Sequence, residues 1–291
     1  MVKKYIDLVM DTRRELLTKE PMEIADMMAK QLIAHVCGKS VPTIMMDREA
    51  YATDEVCANV RKGLDRLMEG EPLAYVLGEW EFYGLNLVVT PDVLIPRDDT
   101  VAVASLAISQ GLFLDKDPRI LDLCCGSGCI GLAVASRVKD ARVTLVDLSQ
   151  KALNVAKQNT ALNHMTGRVR CMQVDATKPA PAFLGKFDMI ISNPPYITGQ
   201  EMNELPQSVA DYEPHMALYG GEDGLDFYRA IAENYTSALK PGGYLALEFG
   251  MGQGDDVCRI LADHGYTILE RSKDYNERER AVLAQYGRKE A

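Results

Sequence analysis

The chain has 291 residues, 47% of them hydrophobic, which is long for one domain and comfortable for two. Lys and Arg number 32 against 42 Asp and Glu, a formal net charge of −10, so a general affinity for phosphate backbones is not expected. Met1 to Asp11 is too charged for a signal peptide and no apolar run approaches a membrane span, which predicts a cytoplasmic protein without a membrane partner. The 7 cysteines are scattered, as expected of reduced thiols. Cys124, Cys125 and Cys129 invite a metal reading, but no Cys-x-x-Cys pair or neighbouring His completes it, so no metal is expected.

From Lys3 to Gly78 the period is helical. Pro21 suits a helix start, Ile24, Met27, Met28 and Leu32 share a face, and Gly38 suits a helix end. Val56, Val60, Leu64 and Leu67 repeat the pattern before Gly70, and Pro72 to Leu77 reads as a last short helix. Residues 1–90 hold 11 basic and 15 acidic side chains, which is not the balance of a nucleic-acid clamp. A small helical bundle over 1–78 is predicted, either a protein-docking domain or a structural cap.

Between Glu79 and Arg97 short apolar runs flank Gly84, which predicts a β-hairpin linker over 79–97. From Arg119 the runs Ile120–Cys124, Val143–Val146, Val169–Val174, Phe187–Ser192 and Tyr244–Phe249 alternate with amphipathic stretches, the mark of a parallel sheet covered by helices. Tyr266–Arg271 and Ala281–Tyr286 are joined by a short link and are expected to pair antiparallel at the sheet edge. The fold class is therefore α/β, a Rossmann-like, mostly parallel sheet over 98–291.

Asp122-Leu-Cys-Cys-Gly126-Ser-Gly128-Cys-Ile-Gly131 follows the first of these strands and opens a helix. Gly126 and Gly128 let backbone approach a ligand, and the helix start favours a carboxylate or phosphate. Asp147 ends the next strand, where a ribose-binding acid belongs. The spacing alone fits a nicotinamide dinucleotide as well. However, the four histidines, His35, His164, His215 and His264, suggest no proton relay, and S-adenosyl-L-methionine accounts better for the residues downstream. Its carboxylate suits the glycine loop, its ribose Asp147 and its adenine the neighbourhood of Asp175. The methyl group would then lie beside Asn193.

Asn193-Pro194-Pro195-Tyr196 follows an apolar strand and concentrates acceptors while supplying few donors. The Asn193 amide oxygen and the Pro194 carbonyl can each accept a hydrogen from a planar NH2 group, and neither proline offers a competing N–H. Pro194 biases Asn193 toward an extended conformation, and Tyr196 adds a face for stacking. Taken alone, the tetrapeptide is equally compatible with a simple turn. Arg97, Arg280, Glu213 and His215 are further candidates for organising the site, with plain surface ion pairing or solvation as the alternative.

The chain resembles the PrmC/HemK family of glutamine N(5)-methyltransferases, which modify peptide chain release factors. The similarity covers almost the whole chain and rests on Pro72-Leu-Ala-Tyr-Val-Leu-Gly78, Glu81-Phe-Tyr-Gly84, Leu94-Ile-Pro-Arg97, Asp122 to Gly128, Asn193 to Tyr196, Tyr212-Glu-Pro214, Gly220-Gly-Glu-Asp-Gly-Leu225 and Leu245-Ala-Leu-Glu-Phe-Gly250. It implies a cofactor loop at Cys124, Cys125, Gly126, Ser127 and Gly128, a ribose acid at Asp147 and an adenine side at Asp175 and Ala176. Asn193, Pro194, Pro195 and Tyr196 would bind the substrate amide, with Asn193, Pro194 and Tyr196 catalytic and Asn193 also next to the cofactor. The implied partner is a class I release factor, modified at the glutamine of its GGQ motif. Cys124 and Cys125 depart from the family's common Gly and Thr, Ala176 from its frequent aromatic and Val101 from its frequent Glu.

An adenine N(6)-methyltransferase grips the same kind of NH2 group and is the main alternative, against which the acidic charge balance argues. A ribosomal-protein glutamine and a non-catalytic cofactor-binding role are the others.

Overall fold

The computed structural model describes residues 3–287; Met1, Val2 and residues 288–291, at the outer ends of the two expected domains, lie outside the described residues. The chain divides into two compact units. Among the described residues, one holds 3–78 together with Gln207–Tyr212, and the other holds Glu79–Pro206 and 213–287.

In the first unit α1 (Tyr5–Leu16), α2 (Met22–Val36), α3 (Val41–Met46), α4 (Asp54–Met68) and α5 (Leu73–Leu77) are closed by local chemistry. The Thr53 hydroxyl accepts the Val56 N–H at 3.2 Å and Asp54 and Glu55 occupy the positive end of α4. Gly78, at φ 72°, ends α5 in the left-handed conformation. The buried face of α2 is Ala25, Met28, Ala29, Leu32 and Ile33, whereas Ile24 and Met27 are exposed. This corrects the expected face: small alanines allow close helix approach, and the larger apolar residues are rotated out. Gly63 on α4 leaves room for Leu32, whose Cδ1 would lie 2.5 Å from any Cβ there.

The second unit begins with the hairpin β1 (Glu79–Phe82) and β2 (Leu85–Val88), turned at Tyr83 and Gly84, both with positive φ. Phe82 and Leu87 are buried in the same core as α6 (Val101–Gly111) and α7 (Cys129–Arg137). Fully buried Asn159, on α8 (Gln150–Leu162), accepts the Val88 N–H at 2.6 Å and donates to the Val88 and Ser127 carbonyls, which ties the hairpin to the Gly126–Gly128 loop.

The sheet comprises β3 (Arg119–Leu123), β4 (Arg142–Asp147), β5 (Val169–Gln173), β6 (Phe187–Ser192), β7 (Leu239–Glu248), β8 (Tyr266–Lys273) and β9 (Glu279–Tyr286). Their spatial order is β5-β4-β3-β6-β7-β9-β8, with β3 to β7 parallel and β9 antiparallel to both neighbours, one place in from the edge. Helices α6, α7 and α8 supply one buried face, and α11 (Asp226–Asn234) and α12 (Gly254–Asp263) the other. Two short helices, α9 (Gly199–Met202) and α10 (Gln207–Tyr212), follow β6. The chain progresses outward from β3 in one direction and from β6 in the other, so the carboxyl ends of this pair form a switch point, where open α/β sheets bind ligands.

Candidate active site

The strand-to-helix loop after β3 carries positive φ at Cys124 (55°), Gly126 (51°) and Gly128 (82°). At Gly128 the lack of a side chain is compulsory, because a Cβ would fall 2.9 Å from Leu145 Cδ1. Beneath the loop, Asp122 Oδ2 accepts the Gly131 N–H at 2.8 Å and aligns the start of α7. Burial pushes the Asp122 carboxyl up to about 8, so it is held mainly protonated at neutral pH. Burial also raises the Cys124 and Cys125 thiols and pushes Cys129 up to about 12, which keeps all three as inert thiols.

A cavity of about 180 Å³ opens over this loop. Asp147 forms one wall, with Oδ2 accepting the Gly126 N–H at 2.9 Å and Oδ1 the Ser149 N–H at 2.8 Å. Each oxygen retains a lone pair for a diol, while burial raises the carboxyl above its ordinary value. Asp175 is held low by the Thr177 hydroxyl and N–H, both donating to Oδ1. Ala176 lines the same wall, and Phe227, from α11, also lines the cavity. An aromatic from another element therefore serves this cavity, where Ala176 itself offers none.

Asn193 lines the cavity, and its Nδ2 donates to Thr100 Oγ1 at 3.2 Å. That bond leaves Oδ1 without a donor among the described residues, and the Pro194 carbonyl likewise lacks one. Tyr196 turns its hydroxyl away to Glu248 Oε1, at 3.4 Å, at the end of β7, and burial raises its phenol. Glu248 is buried, and desolvation pushes its carboxyl up to about 7; the adjacent Thr100 hydroxyl and Arg280 oppose that rise. Arg280, itself only 11% exposed, bridges Asp99 and Asp274 at 3.0 Å each. It is a buried structural bridge behind the clamp.

The clamp is held from the other side by glycines. A Cβ at Gly220 would lie 2.6 Å from both the Pro195 carbonyl oxygen and Tyr196 Cα, and one at Gly224 would lie 2.4 Å from the Tyr196 carbonyl oxygen. Gly220 and Gly224 thus let their backbone touch Pro195 and Tyr196. Gln253 Nε2 completes the support by donating to the Tyr196 carbonyl at 3.0 Å. Glu213, fully buried, accepts the Ile95 N–H at 3.2 Å and pairs with Arg97, joining the Leu94–Arg97 stretch to the Pro214–Ala217 loop. Both segments contribute walls to the cavity through Leu94, Pro214, Met216 and Ala217.

Of the residues the sequence singles out, Cys124, Gly126, Asp147, Asp175, Ala176, Asn193 and Pro195 meet at this cavity. Cys125, Ser127, Gly128, Pro194 and Tyr196 adjoin these residues in sequence and are not among those that line the cavity. Thr100, Phe227 and the roles of Glu248 and Glu213 follow only from the fold. Thr100 is 93 positions from Asn193 in sequence, and no local pattern marks the pairing.

A glycine loop, a strand-end acid and the Asn193–Tyr196 segment at the switch point of a seven-stranded sheet define a class I methyltransferase. Residues 98–210 match the methyltransferase small domain and residues 8–78 the PrmC N-terminal domain. The chain is 40% identical to the release factor glutamine methyltransferase of Clostridium acetobutylicum, over 88% of this chain and 90% of that protein. It is 31% identical to the bifunctional methyltransferase of Rickettsia typhi over 95% of its own length, which spans only 56% of that relative. Among solved structures, a methyltransferase from Pyrococcus furiosus shares the fold with a TM-score of 0.50 at 17% identity, covering 79% of this chain and 98% of that one. The chain belongs to the release factor glutamine methyltransferase family.

S-adenosylmethionine is its cofactor, and the residues fit it. The diol-accepting carboxylate of Asp147, the open backbone at Gly126 and the apolar wall of Ala176 and Phe227 match its ribose, its amino-acid end and its base. Among the described residues no helix is long and apolar enough to cross a membrane.

Proposed function

We propose that this enzyme methylates the side-chain amide nitrogen of a glutamine in a class I peptide chain release factor, in the cytoplasm, and that Asn193 and Pro194 bind that amide. One observation carries the reading: Asn193 Oδ1 and the Pro194 carbonyl are both without donors among the described residues, while the other end of the Asn193 amide is tied to Thr100. Two unpaired acceptors on consecutive residues suit a group with two N–H donors.

Bound S-adenosylmethionine supplies a sulfonium methyl group as the electrophile. An amide nitrogen is a weak nucleophile because its lone pair is delocalised into the carbonyl, so orientation has to provide much of the rate. Asn193 and Pro194 each accept one substrate N–H, which aims the nitrogen at the methyl group. Positive charge growing on that nitrogen strengthens both hydrogen bonds, stabilising the transition state more than the ground state. Tyr196 and Pro195 flank the amide and exclude water. Cys124, Cys125, Gly126, Ser127, Gly128, Asp147, Asp175 and Ala176 hold the cofactor. The helical unit docks the substrate protein.

Transfer of labelled methyl groups to purified release factor, to large-subunit ribosomal proteins and to adenine-containing oligonucleotides tests this reading. Label on release factor is expected. Label confined to the oligonucleotides would replace it with base methylation.

A further inference from the structure

A parallel sheet ordinarily has both faces covered. On β4 and β5 the packed helices, α7 and α8, lie on one face, with Val143, Leu145 and Val169. The link from β5 to β6, residues 174–186, holds no α-helix, only a 3-10 turn at Ala182–Leu184. At the amino-terminal ends of β3, β4 and β5, the opposite face carries Arg119, Arg142 and Arg170, and Arg168 precedes β5 by one residue. This is the sheet edge opposite the methyl-transfer site.

The register brings these charges together. Arg119 lies directly across from Arg142, and Thr144 across from Arg170. Like charges opposed in neighbouring strands destabilise a sheet unless something neutralises them. Here the side-chain partners are neutral: Arg119 donates to the Leu184 carbonyl at 2.8 Å and stacks on Phe187, Arg168 donates to the Val138 carbonyl, and Arg170 donates to Thr144 Oγ1 at 3.0 Å. The nearby Asp188 instead accepts from the Arg119 backbone N–H and from Lys240. Asp117 and Asp140, two residues before Arg119 and Arg142, form no ion pair with them among the described residues. The four arginines, with Thr144 and Thr166, line a cavity of about 310 Å³, and no carboxylate among the described residues lines it, in a chain whose net charge is −10.

We propose that this cavity is a binding site for a small polyphosphorylated anion, separate from the methyl-transfer site. Guanidinium forks match phosphate oxygens two at a time, and a ligand with several phosphate groups neutralises several arginines at once. The cavity's size and the acidity of the rest of the surface favour a compact ligand over a nucleic-acid strand. The inference does not depend on the identity of the methylated substrate.

Calorimetric titration of the full chain with inorganic tripolyphosphate tests it, alongside Arg142→Gln and Arg170→Gln and with a single-stranded RNA and a glutamate-rich peptide as competing probes. The expected result is saturable one-to-one binding of tripolyphosphate, weakened at least tenfold by either substitution and by added salt, with S-adenosylmethionine affinity and methyl transfer unchanged in both variants. Absence of saturable binding would overturn the proposal. So would binding that both variants leave within twofold, or tighter binding of the RNA or the peptide.

Discussion

Replacing Thr100 by Val keeps the side chain's shape and removes the hydroxyl that orients the Asn193 amide. Thr100 is 2% exposed, so water cannot readily substitute for the lost hydroxyl. The 3.2 Å bond from Asn193 Nδ2 to Thr100 Oγ1 contributes about 1 kcal/mol as an ordinary neutral hydrogen bond. Without it the NH2 group faces a methyl group, and an orphaned N–H donor is worse tolerated than an orphaned carbonyl. The amide therefore gains by turning over, which points NH2 into the cavity against the substrate's own NH2. A bias of about 1.4 kcal/mol toward the wrong orientation lowers productive turnover about tenfold. Steady-state kinetics with release factor as substrate should show that drop in Thr100→Val, an unchanged affinity for S-adenosylmethionine by calorimetry, and recovery in Thr100→Ser. A Thr100→Val enzyme within twofold of the wild type would refute the claim that Thr100 sets the amide's orientation.

Phe227→Ala should weaken S-adenosylmethionine binding about fivefold, the value of about 1 kcal/mol of aromatic contact, with turnover restored at saturating cofactor; calorimetry and kinetics together check this. Glu248 has a folded-state value of about 7 against an ordinary 4.5, so its contribution to stability is full below about pH 4.5 and is lost as pH rises through 7. Urea unfolding from pH 5 to 8 should show Glu248→Gln losing about 2.5 kcal/mol less than the wild type across that shift, and parallel curves would contradict it. Asp122, also raised by burial, is present in both proteins and drops out of the difference. Gly220→Ala should cost about 2 kcal/mol, measured by thermal unfolding, and impair methyl transfer, because its Cβ has no room beside Pro195 and Tyr196.

The sheet and the glycine loop are legible in the sequence because each rests on local pattern. Apolar runs of strand length mark β3 to β7, and glycine spacing marks the loop, where φ must be positive. Asp147 is found by its distance from that loop. The buried face of α2 is misread because periodicity ranks large apolar residues first, whereas helix packing selects Ala25 and Ala29. The support of the clamp is invisible for a different reason. Thr100, Gly220 and the Glu248–Gln253 stretch reach Asn193–Tyr196 from three separate segments, and only the closed fold brings them together. The hairpin at 79–88 packs its Phe82 and Leu87 within the sheet unit's core, a placement decided by Asn159 far along the chain.

The most direct test of the account is mass spectrometry of release factor after incubation with S-adenosylmethionine and either the wild-type enzyme or Asn193→Ala. The wild type should add one methyl group to the side-chain nitrogen of a single glutamine. Asn193→Ala should add none while still binding the cofactor with near-normal affinity. Methylation at a lysine, an arginine or the chain terminus, or equal methylation by Asn193→Ala, would contradict the amide clamp.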